Sequence, residues 1–143
     1  CVALARRNAE RAGVADRVTV LQGDLFAGIQ SHAPDLLGAI EAVVCNPPYI
    51  STSKLEKERR ELLDTEPREA FDGGPYGIAI HQRVAKTALD FVRAEGLLLF
   101  EIGAGQATQV RILFQRARGW NEPVHVADPG GEVRVLYATR RSA

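Results

Sequence analysis

The sequence predicts an α/β domain whose largely parallel sheet closes in an antiparallel hairpin. Helix-like and strand-like segments alternate along most of the chain. The segment Glu41–Cys45 is apolar almost throughout, as expected of a parallel strand covered on both faces. The last two strand-like segments are joined only by the turn "DPGG", Asp128–Gly131, too short for a crossover.

Taken in order, Val2–Ala12 is rich in helix formers and is followed by Gly13, a helix C-cap. Arg17–Gln22, "RVTVLQ", alternates and is β-branched, so it reads as a strand running into "GDLF", Gly23–Phe26. Glu41–Cys45 is the next strand. Lys54–Asp64, "KLEKERRELLD", is a charged helix with Leu55, Leu62 and Leu63 as its apolar residues. Thr65–Gly77 is a long turn-rich loop. Ile78–Val92 is helical, Leu97–Ile102 a strand, Gln106–Ala117 a helix, Val124–Asp128 a strand and Val133–Thr139 the last strand. Trp120 is expected to pack near the last helix.

The 143 residues suit one domain with a hydrophobic core. Lysine plus arginine (18) balance aspartate plus glutamate (18), which gives no electrostatic reason to expect duplex nucleic acid or an anionic membrane. Cys1 and Cys45 have no CxxC spacing, which argues against a disulfide framework or structural zinc and points to a reducing cytoplasm. No apolar run approaches membrane-spanning length. His32, His81 and His125 are scattered without metal-ligand spacing and are expected to be surface or satisfied side chains, so no metal site is expected. The chain begins with Cys1 and contains no methionine, and it is expected to be part of a longer protein.

The chemistry concentrates in "NPPY", Asn46–Tyr49, directly after the apolar strand. A planar amide or exocyclic amine is a poor nucleophile because its nitrogen lone pair is delocalised. Two acceptors placed on its N–H bonds favour the pyramidal, attacking form and fix its orientation. Asn46 supplies a side-chain carbonyl and Pro47 a backbone carbonyl. Neither proline brings an N–H, and their fixed φ angles hold the carbonyls in place. Pro47 also pushes Asn46 into an extended conformation, and Tyr49 can stack on the flat acceptor. Such preorganisation lowers a barrier without acid, base or metal. The bland alternative is a strand ended by a Pro-Pro turn with an incidental asparagine.

"NPPYI", "EPREAFDGGPYG", "LLLFEIGAGQ" and "DPGGEVRVL" follow one another in an order and spacing that resembles the HemK/PrmC family. These are S-adenosylmethionine-dependent protein-(glutamine-N5) methyltransferases of peptide-chain release factors, and the resemblance covers essentially the whole chain. It implies a Rossmann-like class I methyltransferase sheet of order 3-2-1-4-5-7-6, of which this chain would supply strands 3 to 7 and lack the first two. Residues 1–143 would then be the C-terminal part of a single catalytic domain. The resemblance assigns Asn46, Pro47, Pro48 and Tyr49 to the substrate glutamine, with Asn46, Pro47 and Tyr49 as the catalytic set. It assigns Asp24 and Leu25 to the adenine of S-adenosylmethionine and Asn46 to its methionine moiety. It gives Glu66, Gly73 and Gly74 no chemical role.

"FEIGAGQ", Phe100–Gln106, also has the form of a cofactor-binding glycine loop, with Asp128 about where a ribose-binding acid would sit. On that permuted reading the catalytic motif precedes the cofactor motif, as in some DNA amino-methyltransferases. Too little chain follows Asp128 for the remaining crossover units, so the glycine loop is expected before Cys1. The isolated chain is accordingly expected to be inactive and to bind S-adenosylmethionine weakly or not at all. The function expected of the parent protein is methylation of the glutamine of a release factor's GGQ loop, in the cytoplasm, with no membrane partner. An adenine-N6 DNA or RNA methyltransferase is the alternative, and an inactive binding or scaffolding fragment a second one.

Overall fold

The computed structural model describes residues 1–142 and divides into two compact units, Cys1–Leu36 and Leu37–Ala143. In the first unit, α1 spans Val2–Arg11 and ends where Gly13 turns with φ 67°, as its sequence dictates. Arg17–Gln22 is not a strand. Alternation reports a suitable side-chain pattern, but a strand exists only where a neighbour pairs its backbone groups. No described strand pairs with this segment. The Val20 carbonyl instead faces the Arg6 guanidinium at 3.5 Å. A short helix, α2 (Ala27–His32), follows the "GDLF" turn. Its glycine and six-residue length leave no periodic signature in the sequence.

The second unit carries a four-stranded sheet in the order β1-β2-β4-β3, with β1 at Ile40–Cys45, β2 at Val92–Glu101, β3 at Val124–Ala127 and β4 at Val133–Thr139. This is the 4-5-7-6 portion of the order expected from the family resemblance. The sheet is mixed. β1 runs parallel to β2, while β4 is antiparallel to both β2 and β3. The closing hairpin places β4 between β2 and β3, so parallel pairing is confined to β1 and β2.

Helices α4 (Ala79–Phe91) and α5 (Ala107–Ala117) cover one face of this sheet. Leu98 and Phe100 of β2 and Leu136 and Ala138 of β4 point at them, at alternate positions as the pleat requires. Val84, Ala85, Ala88 and Phe91 of α4, and Val110, Leu113 and Phe114 of α5, complete the core. An aromatic run links the layers: His81 to Phe100 at 5.0 Å, Phe100 to Phe114 at 5.5 Å, and Phe114 to Trp120 at 5.9 Å, edge to face. Trp120 thus packs on the last helix as expected, and its indole N–H donates to the Ala85 carbonyl at 2.8 Å.

Full burial of β1 is not observed. Val43 and Cys45 pair with Leu98 and Phe100 on the helix side, whereas Val44 is 74% exposed on the other. The apolar run recorded a strand fit for two covered faces, but no described element of this unit covers the second. Lys54–Asp64 is likewise interrupted. α3 spans Thr52–Glu58, Arg59 breaks it with φ −133° and ψ 28°, and a short 3-10 turn takes Arg60–Asp64.

Candidate functional site

The site begins where β1 ends. Asn46 follows the last residue of the strand, Pro47 is buried, and Ser51 caps α3 by accepting from the Lys54 N–H at 3.3 Å. "NPPYI" is therefore a fixed strap between a strand and a helix N-terminus. It forms one wall of a cleft of about 630 Å³, with Lys54, Arg59, Phe71, Tyr76, Gly103, Gln106 and Arg134 among the other lining residues. All four residues of the predicted motif line it. Asn46 is exposed, and Tyr76, at the tip of the glycine-rich loop, is 82% exposed.

The long loop Thr65–Gly77, left without a role by sequence, is the second strand of this strap. Ile50 N–H donates to the Phe71 carbonyl at 3.1 Å, and Gly73 N–H donates to the Ile50 carbonyl at 2.8 Å. Asp72 locks the pairing. Its Oδ1 accepts from the Thr52 hydroxyl at 2.7 Å and from the Gly74 N–H at 2.9 Å, and its Oδ2 from Arg68 at 3.0 Å. The Thr52 hydrogen bond, the Gly74 N–H and Arg68 together hold the carboxyl below its ordinary 3.8, against the opposing effect of burial.

Gly73 and Gly77 are required by space. A Cβ at Gly73 would lie 2.6 Å from the Pro48 carbonyl oxygen. Gly77 has φ 70°, and a Cβ there would collide with the Tyr49 carbonyl and fall 2.6 Å from Gln106 Nε2. Glu66 has no part in these contacts. The loop holds the residues that directly follow NPPY, Ile50 and Thr52, backbone to backbone.

Tyr49 is held from its other end. Its hydroxyl lies 3.4 Å from Glu101 Oε1 and 3.4 Å from Arg134 Nη2, and the Arg134 guanidinium sits 5.9 Å from the ring centroid. Glu101 and Arg134 pair at 3.7 Å. Beneath them His81 is fully buried, with Nε2 3.0 Å from the Glu101 carbonyl and Nδ1 without a hydrogen-bond partner. Burial pushes the imidazole below its ordinary 6.5, opposed by the Glu101 bond, so the neutral Nε2–H form fits. The expectation of a surface or satisfied histidine holds for only one of its two nitrogens. Among the described residues no cluster of His, Cys, Asp or Glu suits a metal ion. No described helix is long and apolar enough to cross a membrane.

The permuted reading of "FEIGAG" meets two obstacles. In a glycine loop that cradles an anion, backbone N–H groups face the ligand. Here Gly103 N–H donates to Gln106 Oε1 and Gly105 N–H to Glu132 Oε1, both at 2.9 Å. Asp128 is a turn residue as well, its Oδ1 accepting from Gly130 N–H at 2.8 Å and Glu132 N–H at 3.1 Å. β3, the strand it ends, lies at the sheet edge and not beside β2.

Asp24 and Leu25, predicted to bind cofactor, belong to the first unit. The Asp24 carbonyl accepts from Ala27 N–H at 3.1 Å, and Leu25 takes φ 53°, a strained value for a leucine that fixes the turn into α2. Sequence reasoning missed Thr52, Asp72, Glu101, Gln106 and Arg134. For Asp72 the signal was present, since an aspartate two residues before a glycine is a ready Asx-turn. Glu101 and Arg134 are brought to Tyr49 by the sheet, Gln106 by the turn after β2, and Thr52 reaches Asp72.

No protein-family model matches the chain. It is 38% identical over 135 residues to the release factor glutamine methyltransferase of Geobacter sulfurreducens, covering 94% of this chain and 44% of that protein. The Caulobacter vibrioides enzyme of the same name is 37% identical over 139 residues, covering 97% of this chain and 46% of that protein. Over nearly its whole length the chain is similar to release factor glutamine methyltransferases. It spans less than half the length of these curated relatives. A solved protein-(glutamine-N5) methyltransferase (release factor-specific) from Alicyclobacillus acidocaldarius superposes with a TM-score of 0.47 and 23% identity, over 94% of this chain and 73% of that one.

Proposed function

We propose that the protein carrying this chain transfers a methyl group to the side-chain amide nitrogen of a glutamine in a peptide-chain release factor. The observation that carries the reading is Asn46-Pro-Pro-Tyr49, set at the carboxyl end of a strand beside a cleft, with the Tyr49 carbonyl held by Gln106 and the next residue, Ile50, paired to the backbone of Phe71 and Gly73. It is joined by the names of the relatives. Asn46 Oδ1 and the Pro47 carbonyl accept the two N–H groups of the glutamine amide, turning its nitrogen lone pair towards the methyl donor. Tyr49, fixed by Glu101 and Arg134, limits how the flat amide rotates. As the N–C bond forms, the donor's methyl–sulfur bond would break with its electron pair left on sulfur, and the amide proton would pass to water, so no side chain of the clamp has to titrate.

S-adenosylmethionine, the expected donor, supplies an electrophilic methyl when bound. The cleft described here fits the acceptor better than this donor, since none of its lining residues is acidic and able to hold ribose hydroxyls. Asn46 is the cleft residue assigned to the donor, and Asp24 and Leu25 are assigned to its adenine. The working compartment of such an enzyme is the cytoplasm, where release factors act.

One observation favours a second acceptor, adenine in nucleic acid. Lys54, Arg59 and Arg134 all line the cleft, and cations track phosphates. Arg134 is already paired with Glu101, which weakens that reading. The complete open reading frame, incubated with radiolabelled S-adenosylmethionine, is offered release factor, DNA and RNA in parallel. Label on the release factor, lost in Asn46→Ala, supports the proposal, and label on nucleic acid alone refutes it.

A further inference from the structure

We propose that Gln106 is a positioning residue for methyl transfer, holding the acceptor clamp in register from behind; this rests on the function proposed above. Gln106 precedes α5, and its side-chain amide reaches three separate backbone segments. Oε1 accepts from Gly103 N–H at 2.9 Å. Nε2 donates to the Tyr49 carbonyl at 2.9 Å and to the Gly77 carbonyl at 3.3 Å. Each polar group of the amide faces a partner of opposite kind, so the orientation of the amide is fixed by its surroundings.

The three segments are the NPPY strap, the glycine-rich loop and the turn after β2. A single amide thus ties together three backbone segments around Tyr49. Gly103 also packs against this group, since a Cβ on it would lie 2.9 Å from Gln106 Oε1 and 3.0 Å from Tyr49 Cδ2.

The consequence reaches the chemistry through the prolines. Fixing the Tyr49 carbonyl fixes the peptide plane at the end of the motif, and Pro47 and Pro48 have φ locked by their rings. Few torsions remain between the Tyr49 carbonyl and the Pro47 carbonyl that accepts the substrate N–H. The chain is also pinned beyond Tyr49, by Ile50 to Phe71 and by Gly73 to Ile50. Gln106 therefore sets the direction of an acceptor it does not touch. A glutamate has the same shape but cannot donate, and it would press a carboxylate oxygen against two carbonyls. A methionine has similar length and offers neither bond.

The test compares wild type, Gln106→Glu and Gln106→Met in the complete open reading frame. The measurements are steady-state methylation of release factor, calorimetric affinity for S-adenosylmethionine and thermal unfolding. Gln106→Glu is expected to lower kcat about 100-fold, the scale of a 1 Å misplacement of reacting groups, with donor affinity and fold retained. Gln106→Met is expected to lower kcat by about tenfold. A folded variant with kcat within about threefold of wild type overturns the proposal. So does a parallel loss of donor affinity and kcat, or unfolding of both variants, each of which makes Gln106 a scaffold residue only. Failure of the wild-type arm to label release factor defeats the functional reading instead.

Discussion

Asn46 and Pro47 are asked to supply two acceptors for the glutamine amide. Asn46→Ala in the complete open reading frame removes one of them. Its kcat should fall by about 10²–10³-fold, the usual loss for one preorganised electrostatic partner, with the fold intact by circular dichroism. Gly77 is the sharper residue in structural terms, because its backbone sits at φ 70° against the Tyr49 carbonyl. Gly77→Ala is expected to abolish activity by displacing the strap, and retention of full activity would show that the loop grip is dispensable. The residues proposed to do the chemistry stood out in the sequence by their types, because an amide followed by two rings has few structural uses. Gln106 was not, because a glutamine beside a glycine turn carries no signal until the fold brings Tyr49 and Gly77 to it.

Among the elements, α4 contributes a buried group whose protonation is coupled to folding. His81 is buried against Phe100 and neutral, with its folded-state pKa below the unfolded 6.5. Between these values the unfolded chain binds the extra proton, so stability is intact above about 6.5 and declines as pH falls below it. Urea unfolding across that range should show the decline, and His81→Leu should flatten it; an unchanged slope in the variant would assign the effect elsewhere. α5 contributes Phe114, whose truncation to alanine should cost about 3–5 kcal/mol because it joins Phe100 to Trp120. The periodic helices were readable from sequence for the same reason they are stable: each buries one apolar stripe. The broken helix at Arg59, the six-residue α2 and the unpaired Arg17–Gln22 were not. Short-range pattern does not report where hydrogen-bond partners are.

Across the whole molecule, the sheet of the second unit presents apolar side chains on the face opposite α4 and α5. Val44, Val124 and Val126 are exposed there, beside Leu97, Leu99 and Tyr137, and β1 has β2 as its only described neighbour. Such a face and edge invite association. The 143-residue chain alone should therefore self-associate in sedimentation velocity at micromolar concentration, and Val44→Lys should reduce this. A chain monomeric at every concentration would contradict it. The same chain should bind S-adenosylmethionine more weakly than micromolar in calorimetry, since the cleft offers the acceptor clamp without an acid for the ribose.

The central claim is that the clamp holds a glutamine amide. Its most direct test is mass-spectrometric mapping of the methyl group after reaction of the complete protein with release factor and S-adenosylmethionine. The account predicts one added methyl on a glutamine side-chain nitrogen, absent with Asn46→Ala. A methyl found on a lysine, a carboxylate or a nucleic-acid base in place of glutamine would contradict it.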